Sequence, residues 1–395
     1  MSSRIHLFSL TGFGMILSLM VAQPVLPLYL QERALPPAEV GLIVGIASFA
    51  LILTELGAMA VSRRVGRRRT LLIGTLGGAA AALWFTFAAT RPEWYLSRIL
   101  FGAFRGVLWP VLFAEVSDAS PPGRAGRAFS IFWLYFGFGL LTGPLIGGWV
   151  GDLYGLRAPL FLSALLALLP AATAPAFSRQ RDAPIALLAA FGALLRRREV
   201  LAIWILQAIG TTVFGLYVTF LPLYAAGQRM TTAQIGVIFA VGSAVFTAAQ
   251  LPAGRLMERL SPAALLIPAY LVRGVATAVV PFVAGFSGLV ILNAVASVMG
   301  AVIPPVLTAR LAGVAGGHSV VVMGGFNAAA DVGFFLGPTI GGIAAGYGLA
   351  WPFLLAIPLA AAGVTLNVIA FSSGERLPPS PSEGLTRISE TPPER

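Results

Sequence analysis

Four ionisable side chains stand inside long apolar runs of this 395-residue sequence: Arg98, Arg105, Arg273 and Asp331. An ionised group held at mid-bilayer costs roughly 2.5–3.5 kcal/mol on insertion scales, so each one implies a function or a partner. All 26 basic Lys/Arg residues are arginine, and the only histidines are His6 and His318. Arginine stays protonated, so a group that picks up and releases protons within the apolar region has to be an acid. Asp331 is the proton-coupling candidate; a helix-packing hydrogen bond or a salt bridge to an arginine is its alternative role. Arg98, Gly102, Arg105 and Trp109 follow one another at i, i+4, i+7 and i+11, the spacing of one helical face.

These residues must be positioned by membrane helices. The chain is 57% hydrophobic and 10% charged, with a mean hydropathy of +0.88, far outside the soluble globular range. A spanning helix needs roughly 20 apolar residues, and twelve windows qualify, at about 5–29, 38–60, 70–89, 93–115, 128–152, 157–177, 199–226, 232–256, 263–285, 287–311, 321–345 and 349–371. With no cysteine, disulfides, thiolate metal sites and thiol nucleophiles are excluded. No Ser-His-acid set, metal-ligand cluster or phosphate loop is visible, so neither an enzyme nor a metal or cofactor is expected.

The net charge of +11 and pI near 11.1 would suggest nucleic acid on a soluble domain. Here the arginines fall in loops on one side, among them Arg4, Arg63, Arg64, Arg67, Arg68, Arg69, Arg127 and Arg179, against Arg33, Arg91, Arg157 and Arg229 on the other. That asymmetry is a positive-inside pattern, which places both termini in the cytoplasm and leaves no role for nucleic acid. The apolar N-terminal run continues through Gln23, Pro24 and Pro27 without a cleavage site and reads as the first span rather than a signal peptide.

A ten-residue pattern, GxxxGPxxGG, occurs twice, as Gly139, Gly143, Pro144, Gly147 and Gly148 and as Gly333, Gly337, Pro338, Gly341 and Gly342. Gly106 and Pro110 recur as Gly300 and Pro304, and Pro27-Leu28-Tyr29 as Pro222-Leu223-Tyr224. Small residues at such spacing let membrane helices approach closely. The chain therefore divides into an N-terminal six-helix bundle at 1–177, a cytoplasmic linker at 178–198, a C-terminal bundle at 199–371 and a disordered tail at 372–395. Six spans per half give parallel repeats about an axis along the membrane normal.

On these motifs the chain resembles the major facilitator superfamily, and within it the twelve-helix drug:proton antiporters. The pattern at 139–148 is similar to their fifth-helix signature. Arg98-x-x-x-Gly102 with Gly106 and Pro110 resembles the fourth-helix motif, and the segment at 23–30 the end of the first helix. In the loop after the second helix, MAVSRRVGRR at 59–68 keeps Arg64, Gly66, Arg67 and Arg68 but carries Arg63 where the family has an acid.

The resemblance implies an all-α integral membrane fold of two pseudo-symmetric six-helix bundles, with helices one, four, seven and ten lining a central cavity. Its candidate lining residues are Gln23, Arg98, Arg105, Trp109, Gln207, Thr211, Phe214, Asn293 and Ser297, with a basic wall on helix four facing an apolar one on helix ten. Arg98 either ties helix four to carbonyls of helix one or meets substrate, as does Arg105. Arg273, on a helix usually peripheral in the family, is expected to snorkel or to have a local partner. Candidate cytoplasmic gate residues are Arg64, Arg67, Glu115, Asp118 and Glu258. Glu258 is expected to face the start of helix five, and Glu55 and Glu115 to pair with the arginine cluster. The Gly-Pro pattern either packs helices across the half-to-half interface or also serves as a leak-blocking bend.

The implied function is proton-coupled efflux of amphiphilic small molecules by alternating access, by a monomer in the inner membrane whose partners are the substrate, protons and the lipid bilayer. A flippase or an exporter of a lipid-linked or anionic metabolite is the alternative; from another class, so is a non-transporting membrane scaffold or sensor.

Overall fold

A computed structural model describes residues 3–121, 125–179, 194, 197–257, 259–314 and 319–371. All regular structure among them is helical, and twelve helices are long and apolar enough to cross a membrane. They are α1 (Ser3–Glu32), α2 (Pro37–Val65), α3 (Arg67–Phe87), α4 (Arg91–Asp118), α5 (Ala125–Tyr154), α6 (Arg157–Ala176), α7 (Arg198–Gly227), α8 (Thr232–Met257), α9 (Pro262–Phe282), α10 (Phe286–Val314), α11 (Ser319–Ala345) and α12 (Trp351–Phe371). Glu258, His318, most of the linker and the tail lie outside the described residues.

Local chemistry sets the ends and breaks. Thr90 and Glu93 form a capping box at the start of α4, where Glu93 Oε2 accepts from the amides of Ala89 and Thr90 at 2.8 and 2.9 Å. Between α2 and α3 the chain turns on Gly66 alone, at φ +86°, a conformation open to glycine without steric cost. Proline lacks the amide that continues a helix. Accordingly α1 is interrupted at 23–25, beside Pro24, and α4 at Val107, one turn before Pro110.

The twelve helices form two pseudo-symmetric bundles of six, α1–α6 and α7–α12. One buried cluster draws on both. Val25, Tyr29, Val40 and Ile43 of the first pack with Phe220, Leu223, Ile235 and Ile238 of the second, all at the end whose loops carry few arginines. At the arginine-rich end each bundle keeps its own core, around Phe8, Leu112 and Phe132 in one and around Ile203, Leu266 and Leu307 in the other. Among the described residues, the halves share a buried core at one end and keep separate cores at the other.

Candidate functional site

The seam between the halves is made twice, by α2 with α11 and by α5 with α8. Along the first, Gly41 and Gly45 lie against the backbone of Pro338 and Phe335. The Phe49 and Phe335 rings meet with centroids 5.4 Å apart. Deeper toward the arginine-rich end, the carboxyl groups of Glu55 and Asp331 come within hydrogen-bonding reach of each other across the seam. A hydrogen bond between two carboxyl groups exists only when one of them carries a proton. The Arg105 guanidinium lies close enough to act on the charge of Asp331.

Glu55 thus does not join the surface arginine cluster as expected. Helix α2 runs on to Val65 instead of ending near 60, which draws Glu55 further into the apolar layer. The repeat held a signal for it: Glu55 stands in register with Gln250 of α8, at the offset that relates Pro27 to Pro222.

The two arginines of α4 are engaged by other helices. Arg105 is buried, with Nη1 donating to the Met15 carbonyl at 3.1 Å and near Ser18 Oγ at 3.5 Å, both on α1. Arg98 donates to the carbonyls of Ile43 at 3.2 Å and Val44 at 3.1 Å. It therefore ties α4 to α2, and Arg105 is the residue that ties it to α1. Gly102 and Gly106 explain the closeness of α2, because a Cβ at either would collide with Ala47 or Thr54. Trp109 leaves this face. Past the break at Val107 it meets Phe136 of α5 at 5.8 Å and stacks on Phe113 of its own helix at 5.6 Å.

In the second half Thr211 faces the bare backbone of Gly333, and its hydroxyl donates to the Gln207 carbonyl at 2.9 Å. Asn293 Nδ2 donates to the Ile238 carbonyl at 2.6 Å, and Ser297 lies beside it against Gly242. These three serve helix contacts rather than an open wall. Gln207 is buried, Gln23 sits half-buried at the break of α1, and Phe214 is exposed, edge-on to Phe334 of α11 at 5.8 Å. Arg273 does not snorkel outward; its guanidinium turns inward to 5.5 Å from the Phe214 ring centre and lies beside Gly300. The second half therefore has an inward-turned cation on α9.

At the arginine-rich end Arg67 is buried and reaches Asp118 at 2.6 Å and Glu115 at 3.6 Å. Glu115 also accepts from the Ser178 amide at 3.0 Å, so this cluster binds α3, α4 and the end of α6 within one half. Arg64 is exposed.

The two Gly-Pro copies each serve two contacts. Gly139, Gly143 and Gly147 face α1, and Gly333, Gly337 and Gly341 face α7, all within a half. Pro144 and Gly148 meet Gly236 and Thr232 of α8, while Pro338 and Gly342 meet Gly41 and Ala38 of α2. The seam is closed at the arginine-poor end by Asp152, which accepts from the Thr232 amide at 2.8 Å and lies 2.5 Å from its hydroxyl. A carboxylate of α5 thereby caps the first turn of α8 in the other half.

Two repeated bundles with ionisable groups buried at their seam define a membrane transporter. The chain belongs to the Major Facilitator Superfamily, whose profile matches residues 8–288 and again 228–392. It is 23% identical to multidrug resistance protein 2 of Bacillus subtilis over 371 residues, 91% of each chain. It is 27% identical to the multidrug resistance protein MdtG of Proteus mirabilis, covering 93% of this chain and 94% of the other. Among solved structures, a bacterial homologue of the human lysosomal transporter Spinster in an inward-facing, unoccupied conformation superposes with a TM-score of 0.70 at 14% identity, over 93% of this chain and 95% of that one.

Proposed function

We propose that this chain exports amphiphilic small molecules in exchange for protons, by alternating access of a site between its two halves. The observation that carries this reading is the pair Glu55 and Asp331, one acid from each half, facing each other inside the membrane. A proton held between them favours the joined seam. Loss of that proton sets two like charges against each other and favours parting of α2 from α11. Arg105, fixed to α1, gives Asp331 a neighbouring positive charge and so links the state of the pair to α1 and α4. Proton uptake and helix movement are then one event.

The arginine-rich loops set that face in the cytoplasm, so both termini lie there and the joined arginine-poor end faces outward. A core shared only at the outward end suits a carrier that loads its molecule from the cytoplasm for export. The names of the two multidrug relatives favour drug-like amphiphiles as cargo. The protein acts as a monomer in the inner membrane, and transport, rather than catalysis, is its activity.

The test is proton movement triggered by substrate in liposomes containing the purified protein, across a panel of cationic, neutral and anionic amphiphiles. Asp331→Asn and Glu55→Gln are each expected to abolish proton flux while the amphiphiles still bind. Proton flux that persists unchanged in both variants would sink the proposal.

A further inference from the structure

Among the described residues, four arginines held against other helices have acceptors. Arg98 has two α2 carbonyls, Arg105 a carbonyl of α1, Arg67 two carboxylates and Arg310 the carboxylate of Glu199 at 2.8 Å. Arg273 differs. Its side chain leaves α9 inward rather than toward a membrane surface, and among the described residues it meets no carboxylate and no carbonyl. What it meets is the Phe214 ring, at 5.5 Å, and the bare backbone of Gly300, where a Cβ would lie 3.4 Å from Cζ and Nη1. The nearby Tyr270 hydroxyl donates to the Leu206 carbonyl at 2.7 Å, and among the described residues no hydrogen bond joins its oxygen to Arg273.

A guanidinium over an aromatic face keeps its donor edge free, and that edge matches the two oxygens of a carboxylate. Arg273 is partly exposed and Phe214 is exposed, so neither is sealed in the protein interior. Phe214 in turn touches Phe334, one turn along α11 from Asp331. Cargo held there presses on the same helix that carries the proton.

We propose that Arg273 receives a carboxylate on the transported molecule, with Phe214 supplying the surface for its aromatic or apolar part. This part for Arg273 rests on the chain being a transporter, but not on protons being the coupled ion. The expected cargo is an aromatic or apolar acid rather than a simple cation.

The experiment measures binding of 2-naphthoate and of its neutral counterpart 2-naphthamide to the full chain in phosphatidylcholine nanodiscs by titration calorimetry. The wild type is expected to hold naphthoate about tenfold more tightly, the scale of a hydrogen bond to a charged group. Arg273→Gln should remove that preference and leave naphthamide unchanged. Arg273→Lys, which keeps the charge but not the fork, should retain part of it.

A wild type that does not distinguish the two compounds overturns the assignment, as does a preference that survives unaltered in both variants. So does a parallel loss of both compounds in Arg273→Gln and Arg273→Lys, which marks a structural role. Proton flux in liposomes is read separately, so a wild type that moves protons without naphthoate preference fails here alone, and the converse fails only the coupling.

Discussion

Arg64, in the last turn of α2, and Arg67, the first residue of α3, stand three residues apart and have opposite surroundings. Arg64 is exposed, whereas Arg67 is 7% exposed and faces Asp118 and the buried Glu115. Removing one partner of a buried ion pair leaves the other charge uncompensated, at about 3 kcal/mol. The exposed Asp118 adds little to that loss. Arg67→Ala is therefore expected to lower the thermal unfolding midpoint in detergent clearly, Arg64→Ala to leave it within the spread of a surface change, and Arg67→Ala with Glu115→Gln to recover part of the loss. The loop motif drew attention to both arginines, because it records residue type; depth was not legible in it. The same gap hid Glu55, which faces a partner far away in sequence and sits on a helix that runs about five residues further than expected.

At the scale of helices, the twelve spans, the repeat and the Gly-Pro copies were legible, since spanning length and small-residue spacing follow from local composition. The facing of individual side chains was less so. A straight helix puts Trp109 beside Arg105, but the break at Val107 sends it to α5. Thr211 reads as a cavity residue until Gly333 is seen to take the space beside it. The double use of each motif copy gives a prediction. Gly333→Ala drives a methyl into the α7 backbone and Thr211, an overpacking expected to cost about 1–3 kcal/mol, visible as reduced thermal stability. Gly342→Ala instead crowds Pro37 and Ala38 of the other half. It should shift the distance between spin labels on α2 and α11 more than it changes stability.

For the whole molecule, the arginine asymmetry and the parallel halves were open to a reader of the sequence, but the conformation was not, because both states satisfy the same pattern. The joined end is fixed by the shared core and by Asp152 at the first turn of α8. An N-cap is worth about 1 kcal/mol, so Asp152→Ala should move the balance of states about fivefold toward the form closed at the arginine-rich end. Electron-electron distance measurements between labels at the loop ends would show it. A second distance peak that does not grow would mean that the apolar core alone holds the joined end.

That unequal joining has a consequence for pharmacology. Parting the joined end uncovers apolar residues such as Tyr29 and Phe220 to water, whereas the other end has no common core to uncover. On the proposed alternating-access cycle, an empty carrier idles with its site offered to one face, and apparent affinity is the intrinsic value divided by the fraction of molecules in the receptive form. The same compound will look potent when supplied from the arginine-rich face and feeble from the opposite one. With the arginine-rich face in the cytoplasm, as proposed above, inhibitors screened in whole cells, where only the outer face is presented, will be ranked by how well they enter rather than by how well they fit.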